Sequence, residues 1–153
     1  EVATYDVKPV MSAPEVHEKL MAKLDDDSFS VYIVNFANPD MVGHTGNYEA
    51  TLKAMEYIDY CLKELSNKCL ENDIAMLVTA DHGNADQMVY PDGSPQTSHS
   101  DALVPFILIK KELKNTEIDI NKNNVALKDV APTIVYLLGH EKPSEFEGNT
   151  VFK

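Results

Sequence analysis

The sequence contains no arginine: all thirteen of its cations are lysine. Guanidinium forks are the usual clamps for small phosphorylated or carboxylated metabolites, so a chain handling one without arginine needs another part of the molecule to hold it. Positive charge is scarce altogether. Against 25 Asp and Glu the net charge is −12, and a surface of that sign repels a phosphate backbone, so no nucleic-acid partner is expected. Long apolar runs are missing too. The best, Val104 to Ile109, has strand length, far short of the roughly 18 residues of a membrane span. Glu1 to Met11 is mixed and polar, without an apolar signal-peptide core. The expectation is a soluble cytoplasmic chain that engages no membrane.

Cysteine is limited to Cys61 and Cys69. At positions i and i+8 of one helix they stand about 12 Å apart along its axis, too far for a disulfide. Free buried thiols suit a reducing cytoplasm, and the spacing fits no zinc motif. No repeat, low-complexity tract or interdomain linker interrupts the 153 residues, a length suited to one domain. With 44% hydrophobic and 25% charged residues the chain is neither a disordered tail nor collagen-like.

Ser12-Ala13-Pro14-Glu15 predicts a helix start with a capping box, and Val16, Leu20, Met21 and Leu24 supply its apolar face before the acidic run Asp25 to Asp27. Val31 to Phe36 is β-branched and aromatic and predicts a strand buried on both sides. A loop from Asn38 to Gly46 leads to the clearest helix, in which Leu52, Met55, Ile58, Leu62, Leu65 and Cys69 recur at helical spacing. Ile74 to Val78 and Val104 to Ile109 predict further strands, and Met88 to Gly93 a short excursion with a turn. After a loop at Asn121 to Asn124, Leu127 to Leu138 predicts a last helix ending at Gly139. The alternation implies an α/β layered fold with a largely parallel sheet flanked by helices. The sheet has few members, so several strands need neighbours from elsewhere.

Ligand sites in such sheets lie beyond the carboxyl ends of the strands. Three polar clusters fall at one edge: Asn38 to His44, Ala80 to Gly83, and Thr97 to Ser100. Asp40 and His44 are four apart, so one helical turn or a tight loop aims both at one point. Asp81 and His82 sit at a strand-to-loop corner. Each cluster has a plainer reading by itself: a surface Asp–His hydrogen bond, an Asp-His-Gly turn, an uninformative His99. Together their carboxylates and imidazoles form a donor set suited to Mn²⁺ or Zn²⁺, and two such ions can organise a transferring phosphoryl group.

The strings Asn38-Pro39-Asp40-Met41-Val42-Gly43-His44-Thr45-Gly46, Thr79-Ala80-Asp81-His82-Gly83-Asn84-Ala85 and Ser98-His99 closely resemble the cofactor-independent (2,3-bisphosphoglycerate-independent) phosphoglycerate mutases of the alkaline phosphatase superfamily. Val2-Ala3-Thr4-Tyr5-Asp6, Met11-Ser12-Ala13 and Asp129-Val130-Ala131-Pro132-Thr133 extend the resemblance almost end to end. It implies a glycolytic isomerase that interconverts 3-phosphoglycerate and 2-phosphoglycerate through a phosphoserine and two divalent ions, usually Mn²⁺, with Zn²⁺ or Mg²⁺ as alternatives.

By the same resemblance, Asp40, His44 and His99 are ligands of one ion and Asp81 and His82 of the other. An aspartate and the nucleophilic serine that complete the second site belong to a region not represented here. Residues 1–153 thus correspond to the C-terminal segment of the phosphatase domain, without the N-terminal segment and the inserted transferase domain that carries substrate-binding arginines. The implied full-length enzyme is a monomer acting on a small phosphorylated substrate, and the segment alone is expected to be inactive. Ser98 and Ser100 are expected to orient His99, not to act as nucleophiles. Glu1 stands where the family often has a basic residue, so no substrate role is carried onto it. Two alternatives are a phosphopentomutase or phosphatase of the same superfamily, and a non-catalytic, metal-stabilised interaction domain.

Overall fold

A single turn of 3₁₀ helix at Tyr5–Val7 opens the computed structural model, which describes residues 3–26, 28–113 and 125–151. Helix α1 (Ala13–Lys23) follows, with Pro14 in its first turn as expected. The predicted capping box does not form. Ser12 has φ −102° and ψ 12°, outside the extended region from which a hydroxyl reaches back to the first amides, and it makes no side-chain cap.

Helix α2 (Asn38–Gly43) and helix α3 (Tyr48–Glu71) come next. Asn47 caps α3, its side chain accepting from the Ala50 amide at 3.1 Å. The buried stripe of α3 is Ala50, Thr51, Ala54, Ile58, Cys61, Leu65 and Cys69. Leu52 and Met55, although part of the apolar periodicity, are exposed. The reason is steric: Val42 of α2 packs fully buried against Ala50 and Ala54, and only small residues allow two helices to approach so closely. Farther along, Leu65 and Cys69 join Leu24 at the end of α1 in a second cluster, flanked by Tyr32, Phe36, Ile74 and Met76. Cys61 and Cys69 are free thiols, both buried on α3.

Strands β1 (Met76–Thr79) and β2 (Phe106–Ile109) pair antiparallel, Met76 opposite Ile109 and Thr79 opposite Phe106. The α/β class stands, but the largely parallel sheet does not appear among the described residues. A parallel pair needs a helical crossover, whereas residues 80–105 double back as an irregular polar excursion. That excursion carries the expected turn, with Gly93 at φ 85° and the Tyr90 amide donating to the Ser94 carbonyl at 2.9 Å.

The predicted strand at Val31 to Phe36 joins no ladder among the described residues. Tyr32 and Phe36 pack inward, while Ile33 is 87% exposed. Its apolar side chains alternate faces, and only one face has a neighbour. The loop predicted at Asn121 to Asn124 lies outside the described residues. Beyond it, one 3₁₀ turn (Leu127–Asp129) runs into helix α4 (Val130–Leu137), and Gly139 at φ 75° ends it as expected. Among the described residues no helix is long and apolar enough to cross a membrane.

Candidate metal centre

Helix α2 is short enough that its only full turn decides the site. Pro39 is its second residue, Asp40 follows in the first turn, and His44 caps the end, its amide donating to the Asp40 carbonyl at 2.9 Å. The i, i+4 spacing puts both side chains on one face. Buried Asn38 donates to the Pro9 carbonyl at 2.8 Å and so fixes the helix start against the N-terminal segment.

His99 arrives from the other side of the excursion. Gly46, at φ 69°, turns the chain into α3, and its missing Cβ leaves room for Pro95 and Thr97, which a methyl would meet at 3.1 Å. This close approach places the Thr97 carbonyl 2.6 Å from His44 Nδ1. A carbonyl only accepts, so Nδ1 carries the hydrogen and Nε2 presents its lone pair. The loop is also tied to residues after β1. The Ser100 amide donates to the Gly83 carbonyl at 3.0 Å, and the Ser100 hydroxyl to Asp86 at 2.6 Å. Ser100 thus ties the two loop segments together, and none of these bonds reaches His99.

The result is a nearly equilateral triangle. His44 Nε2 lies 3.1 Å from Asp40 Oδ1, His99 Nε2 lies 3.3 Å from the same oxygen, and the two Nε2 atoms are 3.2 Å apart. Donors held about 2.0–2.2 Å from one ion stand roughly 3–3.6 Å apart in octahedral or tetrahedral sets, so the three fit one face of a metal's coordination sphere. Asp40 is half-buried and both histidines are more open, leaving the centre reachable from solvent.

Asp81 and His82 border this triangle without joining it. The His82 ring stacks on His99 with centroids 3.6 Å apart and planes 16° from parallel. Asp81 is largely exposed, 3.7 Å from His82 Nε2. All five candidate ligands therefore gather at one place, three converged on a point and two beside them. Two further groups contribute. One is the Thr97 carbonyl, invisible to any side-chain motif. The other is Asn84, whose amide donates to Asp40 Oδ1 at 2.8 Å; its place one residue past Asp81-His82-Gly83 was the available signal.

The family model of the metalloenzyme superfamily matches residues 1–142. The chain belongs to the metalloenzyme superfamily. It is 46% identical over 153 residues to a 2,3-bisphosphoglycerate-independent phosphoglycerate mutase of Francisella tularensis subsp. tularensis, an alignment covering 99% of this chain and 29% of the relative. The mutase of that name from Clostridium botulinum is 46% identical over 154 residues, covering 100% of this chain and 29% of its own length. A crystal structure of Leishmania mexicana phosphoglycerate mutase at low cobalt concentration superposes with a TM-score of 0.87 at 29% identity, over 99% of this chain and 30% of that one. The chain thus spans less than a third of these relatives.

Proposed function

We propose that the chain is the metal-ligating C-terminal segment of the phosphatase domain of a cofactor-independent phosphoglycerate mutase, a cytoplasmic isomerase that interconverts 3-phosphoglycerate and 2-phosphoglycerate. The observation that carries this reading is the convergence of Asp40, His44 and His99 on one point, in a chain similar along its whole length to mutases of that name. In this reading Asp40, His44 and His99 hold one divalent ion, and Asp81 and His82 contribute to a second. Mn²⁺ is the proposed ion, with Zn²⁺ and Mg²⁺ as its competitors. Such ions, when bound, neutralise the charge of a transferring phosphoryl group.

The chain's own residues perform a holding task. The Thr97 carbonyl keeps the His44 hydrogen on Nδ1 and so keeps Nε2 available as a donor. Stacking on His82 limits rotation of the His99 ring. Asp40 supplies the carboxylate between the two imidazoles. In this reading the nucleophilic serine and the arginines that grip substrate belong to the part of a mutase that this chain does not span, in line with its lack of arginine.

The chain alone is expected to give no turnover of 3-phosphoglycerate with Mn²⁺ present. Adding the remaining N-terminal portion of a mutase in trans is expected to restore activity. Turnover by the pure chain contradicts the division of labour, and association without turnover supports a non-catalytic interaction domain instead.

A further inference from the structure

We propose that Asn84 is a positioning residue for Asp40, and that position 43 is glycine because only glycine admits the Asn84 carboxamide. The proposal rests on the reading of Asp40, His44 and His99 as a metal centre.

Asn84 is only 4% exposed, on the loop that also carries Asp81 and His82. Its Nδ2 donates to Asp40 Oδ1 at 2.8 Å and faces the Asp40 main-chain carbonyl at 3.3 Å. Both partners are acceptors, so the amide has one productive orientation, nitrogen toward Asp40. That orientation turns Asn84 Oδ1 away, into a buried position with no hydrogen-bond partner among the described residues. A buried acceptor left unpaired is destabilising, and its retention needs an explanation other than stability. The explanation lies in what the nitrogen holds. Asp40 Oδ1 is the oxygen that stands 3.1 Å and 3.3 Å from the two imidazole nitrogens, so Asn84 fixes the carboxylate rotamer that completes the triangle. Ligating carboxylates gain much of their affinity from such outer hydrogen bonds.

Gly43 shows the same requirement from the opposite side. It is buried within α2 and is not among the glycines of positive φ, so backbone conformation does not call for glycine there, and alanine is the better helix former. A Cβ at this position would collide with Asn84 Oδ1 and come within 3.0 Å of Asn84 Cγ. Gly43 and Asn84 therefore act as one device: the missing methyl lets a polar group from the loop after β1 reach a ligand on α2. The device also links the loop of Asp81 and His82 to the triangle.

The test is a double-mutant cycle on the full chain, with the Mn²⁺ dissociation constant from titration calorimetry and the thermal midpoint in chelator measured side by side. Asn84→Ala and Gly43→Ala are each expected to weaken Mn²⁺ binding by about ten- to a hundredfold. The double variant is expected to bind no more weakly than Asn84→Ala alone, because the new methyl enters space the carboxamide has left. A purely structural role would lower the metal-free midpoint and leave the dissociation constant unchanged, and that result overturns the proposal; so do losses that simply multiply. If Asn84→Ala does not fold, Gly43→Ala, which keeps every polar group, decides, and wild-type affinity in it overturns the proposal. His44→Ala serves as the reference. Wild-type chain binding Mn²⁺ no better than His44→Ala removes the metal centre and the proposal together, whereas loss in His44→Ala with wild-type affinity in Asn84→Ala and Gly43→Ala removes the proposal alone.

Discussion

Under the proposed function, Asp40→Ala is expected to lower kcat/KM for 3-phosphoglycerate by about a thousandfold or more in a full-length mutase containing this segment. The substitution removes the one carboxylate of the triangle and leaves two neutral imidazoles, which hold a hard divalent ion poorly. A bound ion is worth several kcal/mol of charge stabilisation during phosphoryl transfer, and each 1.4 kcal/mol or so is a factor of ten in rate. Asn84 loses its shorter hydrogen bond at the same time and keeps only the Asp40 main-chain carbonyl, so the damage extends to the loop of Asp81 and His82. Steady-state kinetics over a range of Mn²⁺ concentrations is the measurement. Partial recovery at high Mn²⁺ is consistent with a lost ligand. A variant within tenfold of wild type at ordinary Mn²⁺ contradicts the assignment of Asp40.

Asp129→Ala is expected to destabilise the fold by roughly 2–5 kcal/mol at neutral pH. The Asp129 carboxylate accepts the Ala126 amide at 2.8 Å and the Asn149 amide at 2.7 Å, while its main-chain oxygen accepts the Thr133 hydroxyl at 2.6 Å. Thr133 in turn accepts the Val151 amide at 3.2 Å, and Lys142 donates to the Phe146 and Gly148 carbonyls. Together they clasp the C-terminal segment onto the start of α4. Alanine leaves two amides in a protected position with nothing to bind. The Asn149 amide, foremost among its neighbours, holds the Asp129 carboxyl below the ordinary aspartate value. The folded pKa therefore lies below the unfolded one. The stabilisation is complete above the unfolded value and is lost as pH falls through the folded one. Urea denaturation in chelator between pH 7 and pH 2 is expected to show a gap between wild type and Asp129→Ala that narrows below about pH 4. A gap of constant size across that range would show that the carboxylate's charge is not what holds the clasp.

How far the sequence could be read differs by element, for physical reasons. Asp40 and His44 were legible because a single helical turn fixes their relation, and a helical turn is local. His99 was legible only as a member of a set, since its approach depends on the fold of residues 80–105. On α3 apolarity marks Leu52 and Met55, whereas helix contact at α2 selects small size in Ala50 and Ala54. Val31 to Phe36 has strand chemistry, but pairing needs a neighbour, and composition does not supply one. Antiparallel pairing of β1 and β2 is likewise a property of the connection between them. Asn84, Gly43 and the Thr97 carbonyl act through contacts and main-chain atoms that no spacing rule addresses.

The central claim, that Asp40, His44 and His99 hold a divalent ion, is tested most directly by thermal unfolding of wild-type chain and His44→Ala in Mn²⁺, Mg²⁺, Zn²⁺ or chelator. Binding restricted to the native state adds about 2.7 kcal/mol at a hundredfold excess over the dissociation constant. For a chain of this size that raises the midpoint by roughly 5–10 °C. The expected result is such a rise with Mn²⁺ in wild type and none in His44→Ala. An equal rise in both proteins, or no rise with any of the three ions, contradicts the claim.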